Sequence, residues 1–295
     1  MNSAETTVDL QSRRGLGDRA FAWSAGAAAG LVLLILALIA GSTTRNALPV
    51  LREMGGRFFT TSRWSPAEPI FGALAFIWGT IFTSAIAIAI AVPISLGVAL
   101  FMTQVAPPRL ARPLVSLIDL LAGIPSVVFG LWGVLVLSQH FNLSRSFLTA
   151  GIILAIMIIP IITSLSREVI DTTPVSDKEG ALAMGATRWE MITATVLPHS
   201  AGGLVGAVML GLGRAMGETI AAALVIGSAL GQLTLNPFAP GNSMPAVIAN
   251  EWGEAQELHK SALIALALTL FVMTIVVNLA ATAVVERTLK QSRGT

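Results

Sequence analysis

Two residues of opposite charge stand in the middle of an apolar run. In the segment GLGRAMGETIAA, Arg214 and Glu218 lie four residues apart, a spacing that predicts one shared face of a helix. A charge at the centre of a membrane helix costs roughly 2.5–3.5 kcal/mol on insertion scales, so both must face a partner or water. Arg214 then offers a fixed fork of donors to a passing oxyanion, while Glu218 limits how tightly the anion is held. The alternative is an internal salt bridge that offsets burial and does nothing more. Gly213, Gly217 and Ala221 form an adjacent stripe of small residues, which predicts close helix packing and places this helix at the pathway and at a subunit seam.

A second informative stretch is the polar segment from Ser166 to Gly203, SREVIDTTPVSDKEGALAMGATRWEMITATVLPHSAGG. Ser176 followed by Glu179 predicts a capping box that opens a short helix, and Gly185 supplies a left-handed turn to end it. A second short helix is expected to run to about Leu197, before Pro198. The small residues Gly180, Ala181, Ala183, Gly185 and Ala186 let another protein approach the backbone, with Trp189 and Met191 as anchors. This segment reads as a docking surface.

Several chemistries lack their residues. A P-loop needs Gly-Lys-Ser/Thr, and the chain's lysines, Lys178, Lys260 and Lys290, follow Asp177, His259 and Leu289. His140, His199 and His259 match no metal-ligand spacing, there is no GxSxG elbow, and there is no cysteine. No catalytic residue, metal or cofactor is expected.

The elements that position these residues follow from composition. Of 295 residues, 54% are hydrophobic and 12% charged. Roughly a quarter charged is usual for a soluble domain, so the bilayer is the expected solvent. A net charge of +2 gives no argument for a nucleic-acid partner. About 20 apolar residues cover the hydrocarbon core, and six segments pass that test: Ala20–Gly41, Ile77–Phe101, Leu114–Leu137, Phe147–Leu165, Leu204–Leu230 and Ser261–Val285. The expected architecture is an all-α, polytopic membrane domain, residues 20–285, between tails at 1–19 and 286–295. Eleven Lys and Arg fall on the side of the N-terminus and six on the other, which places both termini in the cytoplasm by the positive-inside rule. Asp119 reads as a structural charge at a span end, and Trp23 and Trp78 as interface anchors. In the outer loop PGNSMPAVIANEWGEAQELHK a helix is expected from about Pro245. Its Glu251, Glu254 and Glu257 are free either to meet a binding protein or to form a solvated face.

Glu179, Ala181, Gly185, Leu197 and Pro198 match the EAA loop of ABC-importer permeases, departing from it at Gly180 and Thr195. Further blocks, RWSP, FGALAFIWGT, AGIPSVVFGLWG, ILAIMIIP, LGLGRAMGET and PGNSMPAVIANE, occur in order from Arg63 to Glu251, within a likeness that covers about Arg63 to Val285. Together they resemble the PstC subunit family of high-affinity phosphate importers. The resemblance implies a type I ABC importer (MetI-like) permease fold with six transmembrane helices in the bacterial inner membrane. It implies ATPase coupling through Glu179, Gly180, Ala181, Gly185, Leu197 and Pro198, and phosphate passage past Arg214 and Glu218. It also implies a PstA-type permease, PstB-type ATP-binding subunits and a periplasmic phosphate-binding protein as partners. A permease for sulfate or molybdate, and a non-transporting membrane scaffold or sensor subunit, remain as alternatives.

Overall fold

The computed structural model describes residues 16–141 and 143–293. Residues up to Arg45 form one unit and those from Asn46 onward a second. Of the expected N-terminal tail, residues 1–15 lie outside the described residues, and helix α1 (Leu16–Met54) begins immediately after them. In the first unit Phe21, Trp23 and the run from Leu31 to Ile39 are exposed. That is the surface an apolar helix presents to lipid.

The second unit opens with a short helix, α2 (Arg57–Thr60), and a hairpin of β1 (Trp64–Ser65) and β2 (Ile70–Phe71), with Trp64 opposite Phe71. Then come α3 (Leu74–Leu100), α4 (Pro108–Ala122), α5 (Ser126–Trp132), α6 (Phe147–Asp171), α7 (Val175–Ala183) and α8 (Arg188–Met191). The last four helices are α9 (Leu197–Gly217), α10 (Ile220–Val225), α11 (Met244–Glu251) and α12 (Glu257–Arg293). Wider π-helical turns continue α3 (Phe101–Val105) and α5 (Gly133–Ser138), and another joins α8 to α9 (Ile192–Val196).

Among the described residues five helices are long and apolar enough to span a membrane. They are Gly17–Met54, Leu74–Val105, Phe147–Asp171, Arg188–Gly217 and Glu257–Ala283; a bent pair makes a sixth. The count agrees with the sequence, but two spans differ in form. The expected third span, Leu114–Leu137, is broken: Pro108–Ala122 and Ser126–Ser138 meet at 90°. Pro125 disfavours the α conformation at Ile124 and cannot donate into a helix, so α4 stops at Gly123 and Pro125 starts α5 with extended backbone. The expected fifth span, Leu204–Leu230, ends at Gly217, and its remainder is the six-residue α10.

The core lies where α3, α5, α6 and α10 meet, around Ala87, Ala91, Ile153, Leu154, Ile158, Ala221 and Val225. Since lipid is as apolar as leucine, small residues and close packing hold membrane helices together. A Cβ on Gly130 would stand 2.8 Å from the Cα of Ala221, and one on Gly133 would meet Ile153 and Val225. The segment between α10 and α11 is knitted onto the start of α6: Ser146, Phe147 and Leu148 donate backbone hydrogen bonds to the carbonyls of Val225, Ala239 and Pro237. A Cβ on Gly79 of α3 would overlap the Asn242 carbonyl oxygen, and one on Gly241 would overlap the Phe147 ring.

Candidate functional site

Arg188 to Gly217 is one unbroken helical rod. Pro198 was expected to follow a helix end, yet it lies inside the rod. The π turn just before it explains how: Leu197 donates to the Ile192 carbonyl, five residues back, and the wider turn takes up the hydrogen bond and the space that proline removes. At ~1.5 Å per residue the rod carries Arg214 roughly 40 Å from Arg188.

Arg214 is exposed in the last turn of α9 and lines an open groove of about 700 Å³ between α9 and α12. Thr274, Asn278 and Thr282 of α12 face the same groove. The two threonines donate back to carbonyls of their own helix, at Leu270 and Asn278, and keep lone pairs free. These three residues were not singled out from the sequence. Their signal was available as polar residues recurring every four positions in an apolar span.

Glu218 does not share the helix face of Arg214. The helix stops at Gly217, Glu218 has extended backbone (φ −70°, ψ 126°), and its Oε1 accepts from the Ala221 N–H at 3.2 Å. Among the described residues, no ion pair joins it to Arg214. Two members of the small-residue stripe, Gly213 and Gly217, have open space where a Cβ would stand, while Ala221 is buried against Gly130 beyond the helix break. The stripe is therefore split: one part packs inside this chain and the other is left uncovered.

At the other end of the rod, α7 opens after Pro174 without a side-chain cap, so the expected Ser176–Glu179 capping box is absent. The capping box present is Thr187 with Glu190, opening α8. Pro174 already fixes the entry to α7, which leaves Ser176 in its first turn. Gly185 does supply the left-handed turn, at φ +90°. Ala186 donates to the Ala181 carbonyl and Gly185 to that of Leu182, the paired bonds of a Schellman motif.

Glu179, Gly180, Gly185 and Pro198 are exposed, and Ala181 and Leu197 are half-buried. Met191 is buried with Ala99, Ile170, Ile192, Val196 and Leu204, so it is no anchor. Val175, Leu182, Met184 and Trp189 are exposed. Met184 and Leu182, not foreseen, join Trp189 as the apolar part of this surface.

At the hairpin end, Glu251 is not free. Its Oε2 accepts from Trp64 Nε1 and lies against His259 Nε2, both at 2.8 Å, and His259 stacks on Phe71. This triad ties the hairpin to α11 and α12. Trp78 donates to the Thr234 carbonyl, and Asp119 accepts from Ser164 at 2.9 Å. Among the described residues no group of three His, Cys, Asp or Glu could hold a metal ion.

A family described as binding-protein-dependent transport system inner membrane component matches residues 91–290, a range that takes in α7, α8 and both walls of the groove. The phosphate transport system permease protein PstC of Mesorhizobium japonicum is 40% identical over 302 residues, covering 94% of this chain and 91% of that protein. The chain belongs to the PstC family of these permeases.

Other members of the PstC family are similarly related. The PstC of Haemophilus influenzae is 40% identical over 90% of this chain and 91% of its own length. PstC 2 of Mycobacterium tuberculosis is 39% identical over 95% of each. In solved structures the fold recurs in a bacterial alginate ABC transporter, at TM-score 0.65, 16% identity and coverage of 94% of this chain and 99% of that one. It recurs also in the inward-facing MetNI methionine ABC transporter, at TM-score 0.61, 17% identity and coverage of 72% and 94%. The PstC family fold is thus that of ABC-importer permeases.

Proposed function

We propose that this chain passes inorganic phosphate across the bacterial inner membrane as one half of a permease heterodimer with a PstA-type subunit. The observation that carries the reading is the rod from Arg188 to Gly217: one end adjoins the exposed Leu182, Met184 and Trp189 and the other holds an arginine in an open groove. PstB-type subunits hydrolyse ATP, and their motion enters through Glu179, Gly180, Ala181, Gly185, Leu197 and Pro198. A stiff helix passes that motion to Arg214, so that the groove opens to one side of the membrane and then the other. The chain itself carries no catalytic residue.

A periplasmic binding protein delivers phosphate at the hairpin end. Arg214 offers bidentate, charge-assisted hydrogen bonds to the oxyanion, with the Asn278 amide as a neutral donor across the groove. Glu218 keeps the site from holding the anion too tightly. Gly213 and Gly217 stay uncovered in the single chain because the second permease packs there, while Ala221 braces the break. In this arrangement residues 20–285 form the membrane domain, with both tails cytoplasmic.

The test is accumulation of labelled phosphate in proteoliposomes holding the four-component complex, with ATP on the PstB side and binding protein on the other. ATP-dependent uptake that excess sulfate does not compete supports the reading. Uptake of sulfate or molybdate in its place assigns a different oxyanion, and normal uptake with Arg214→Gln removes the arginine from the pathway.

A further inference from the structure

A second basic cavity lies away from the α9–α12 groove, at the end of the molecule where α6 leads into the coupling helix α7. It measures about 580 Å³ and is lined by Thr103, Arg112, Ser116, Arg167 and Asp171, with Pro108 and Ala111 of α4. Two guanidiniums 55 positions apart in sequence are brought together against one carboxylate. Arg167 is loosely held, 3.8 Å from a Glu168 carboxylate that is itself mostly exposed. The first turn of α4 also borders the cavity, and its positive dipole end favours an anion there.

The surroundings are apolar. Helix α4 buries none of its residues in the chain and meets α5 at 90°, while Leu110, Leu117, Leu120 and Leu121 are exposed along it. Phe101 and Val105, beside the cavity residues Met102 and Ala106 in the preceding turn, are exposed as well. An amphipathic helix lying across the end of a membrane bundle, with arginines at a cavity and leucines outward, has the form of an interfacial helix.

We propose that this cavity binds a tetrahedral phosphate group, carried by an anionic lipid or free in water, with Arg112 and Arg167 as its ligands. Ser116 and Thr103 supply neutral hydroxyls beside them. The exposed leucines of α4 would lie among acyl chains when the carrier is a lipid. Basic cavities between membrane helices at the headgroup level suit this chemistry. The site is separate from the transport groove and shares no residue with it.

The test is thermal unfolding of the purified importer complex in detergent, titrated with phosphatidylglycerol, phosphatidylcholine or inorganic phosphate. Wild-type complex should be stabilised by phosphatidylglycerol and not by phosphatidylcholine, and Arg109→Gln, an exposed arginine outside the cavity, should behave as wild type. Losing two charge-assisted hydrogen bonds should raise the half-saturating concentration about tenfold or more in the Arg112→Gln/Arg167→Gln double variant. Inorganic phosphate acting alone, with the same dependence on the two arginines, supports the site and names the free anion as its source. Ala111→Phe fills the cavity while keeping both charges, and serves if the double variant does not assemble. Absence of stabilisation in wild type, or stabilisation that persists in the altered cavity, overturns the proposal.

Discussion

Glu218 accepts a hydrogen bond from the Ala221 backbone at 3.2 Å and forms no ion pair with Arg214, four residues before it. Helix α9 ends between them, so the acid accepts from an N–H in the first turn of α10, while the arginine lines a groove walled by α12 with no ion-pair partner among the described residues. In the proposed reading the arginine holds the anion and the acid starts the next helix, two tasks that a shared helix face would have merged. Their variants should separate accordingly.

Glu218→Gln keeps an acceptor oxygen for the Ala221 N–H and removes only the charge. It should leave complex assembly and thermal stability unchanged while slowing phosphate release. Glu218→Ala loses the cap as well, at about 1 kcal/mol. Thermal unfolding alongside single-turnover uptake distinguishes the two, and equal destabilisation by both variants would contradict the capping role.

Arg214→Gln should lower phosphate uptake by about tenfold or more while subunits copurify normally, because a charge-assisted fork is replaced by a neutral amide. Arg214→Lys should recover only part of the loss, since an ammonium cannot reproduce bidentate geometry. Asn278→Leu, across the groove, should give a smaller loss in the same assay.

Gly185 holds φ +90° with open space around its Cβ position, so conformation and not crowding constrains it. Gly185→Asn should retain ATPase-subunit copurification, since asparagine tolerates the left-handed region. Gly185→Val should lose much of it, being β-branched. Gly185→Trp should leave the membrane fold intact and block association by bulk.

The Trp64–Glu251–His259 cluster predicts a stability effect at the hairpin end. Glu251→Ala strands the buried Trp64 and half-buried His259 ring nitrogens and should cost about 1–3 kcal/mol. Glu254→Ala, at an exposed position, should be close to neutral. Denaturation of the two variants side by side checks this.

Two glycines of α3 should respond in opposite directions. Gly79→Ala places a methyl group on the Asn242 carbonyl, and overpacking against backbone should cost about 1–3 kcal/mol or more. Gly97→Ala meets nothing within 4 Å and should be neutral or stabilising by up to about 1 kcal/mol. The melting temperatures of the two variants give the comparison.

Much of this was legible in the chain. Apolar run length located the spans because the bilayer sets one length for every helix, and Gly185 read correctly because few residues other than glycine take its backbone conformation at no cost. The breaks were harder, since hydropathy continues across both of them. At residues 123–125 the signal was local, a proline with its restricted predecessor. At 217–219 the short α10 is held by α5 pressing Gly130 against Ala221, a contact between positions 91 apart that no local pattern encodes. The Glu251 triad was hidden for the same reason, because Trp64 and His259 reach it from separate elements. The capping box was misplaced by eleven residues, from Ser176 to Thr187, because Pro174 had already set the start of α7.

The central claim, that motion of attached ATPases is coupled along the Arg188–Gly217 rod to a phosphate-accepting groove, is tested most directly by ATPase activity of the reconstituted complex. Binding protein would be added empty, loaded with sulfate, or loaded with phosphate. The account predicts stimulation by the phosphate-loaded form alone, and its loss with Arg214→Gln. Stimulation by the sulfate-loaded form, or a complex indifferent to all three, would contradict it.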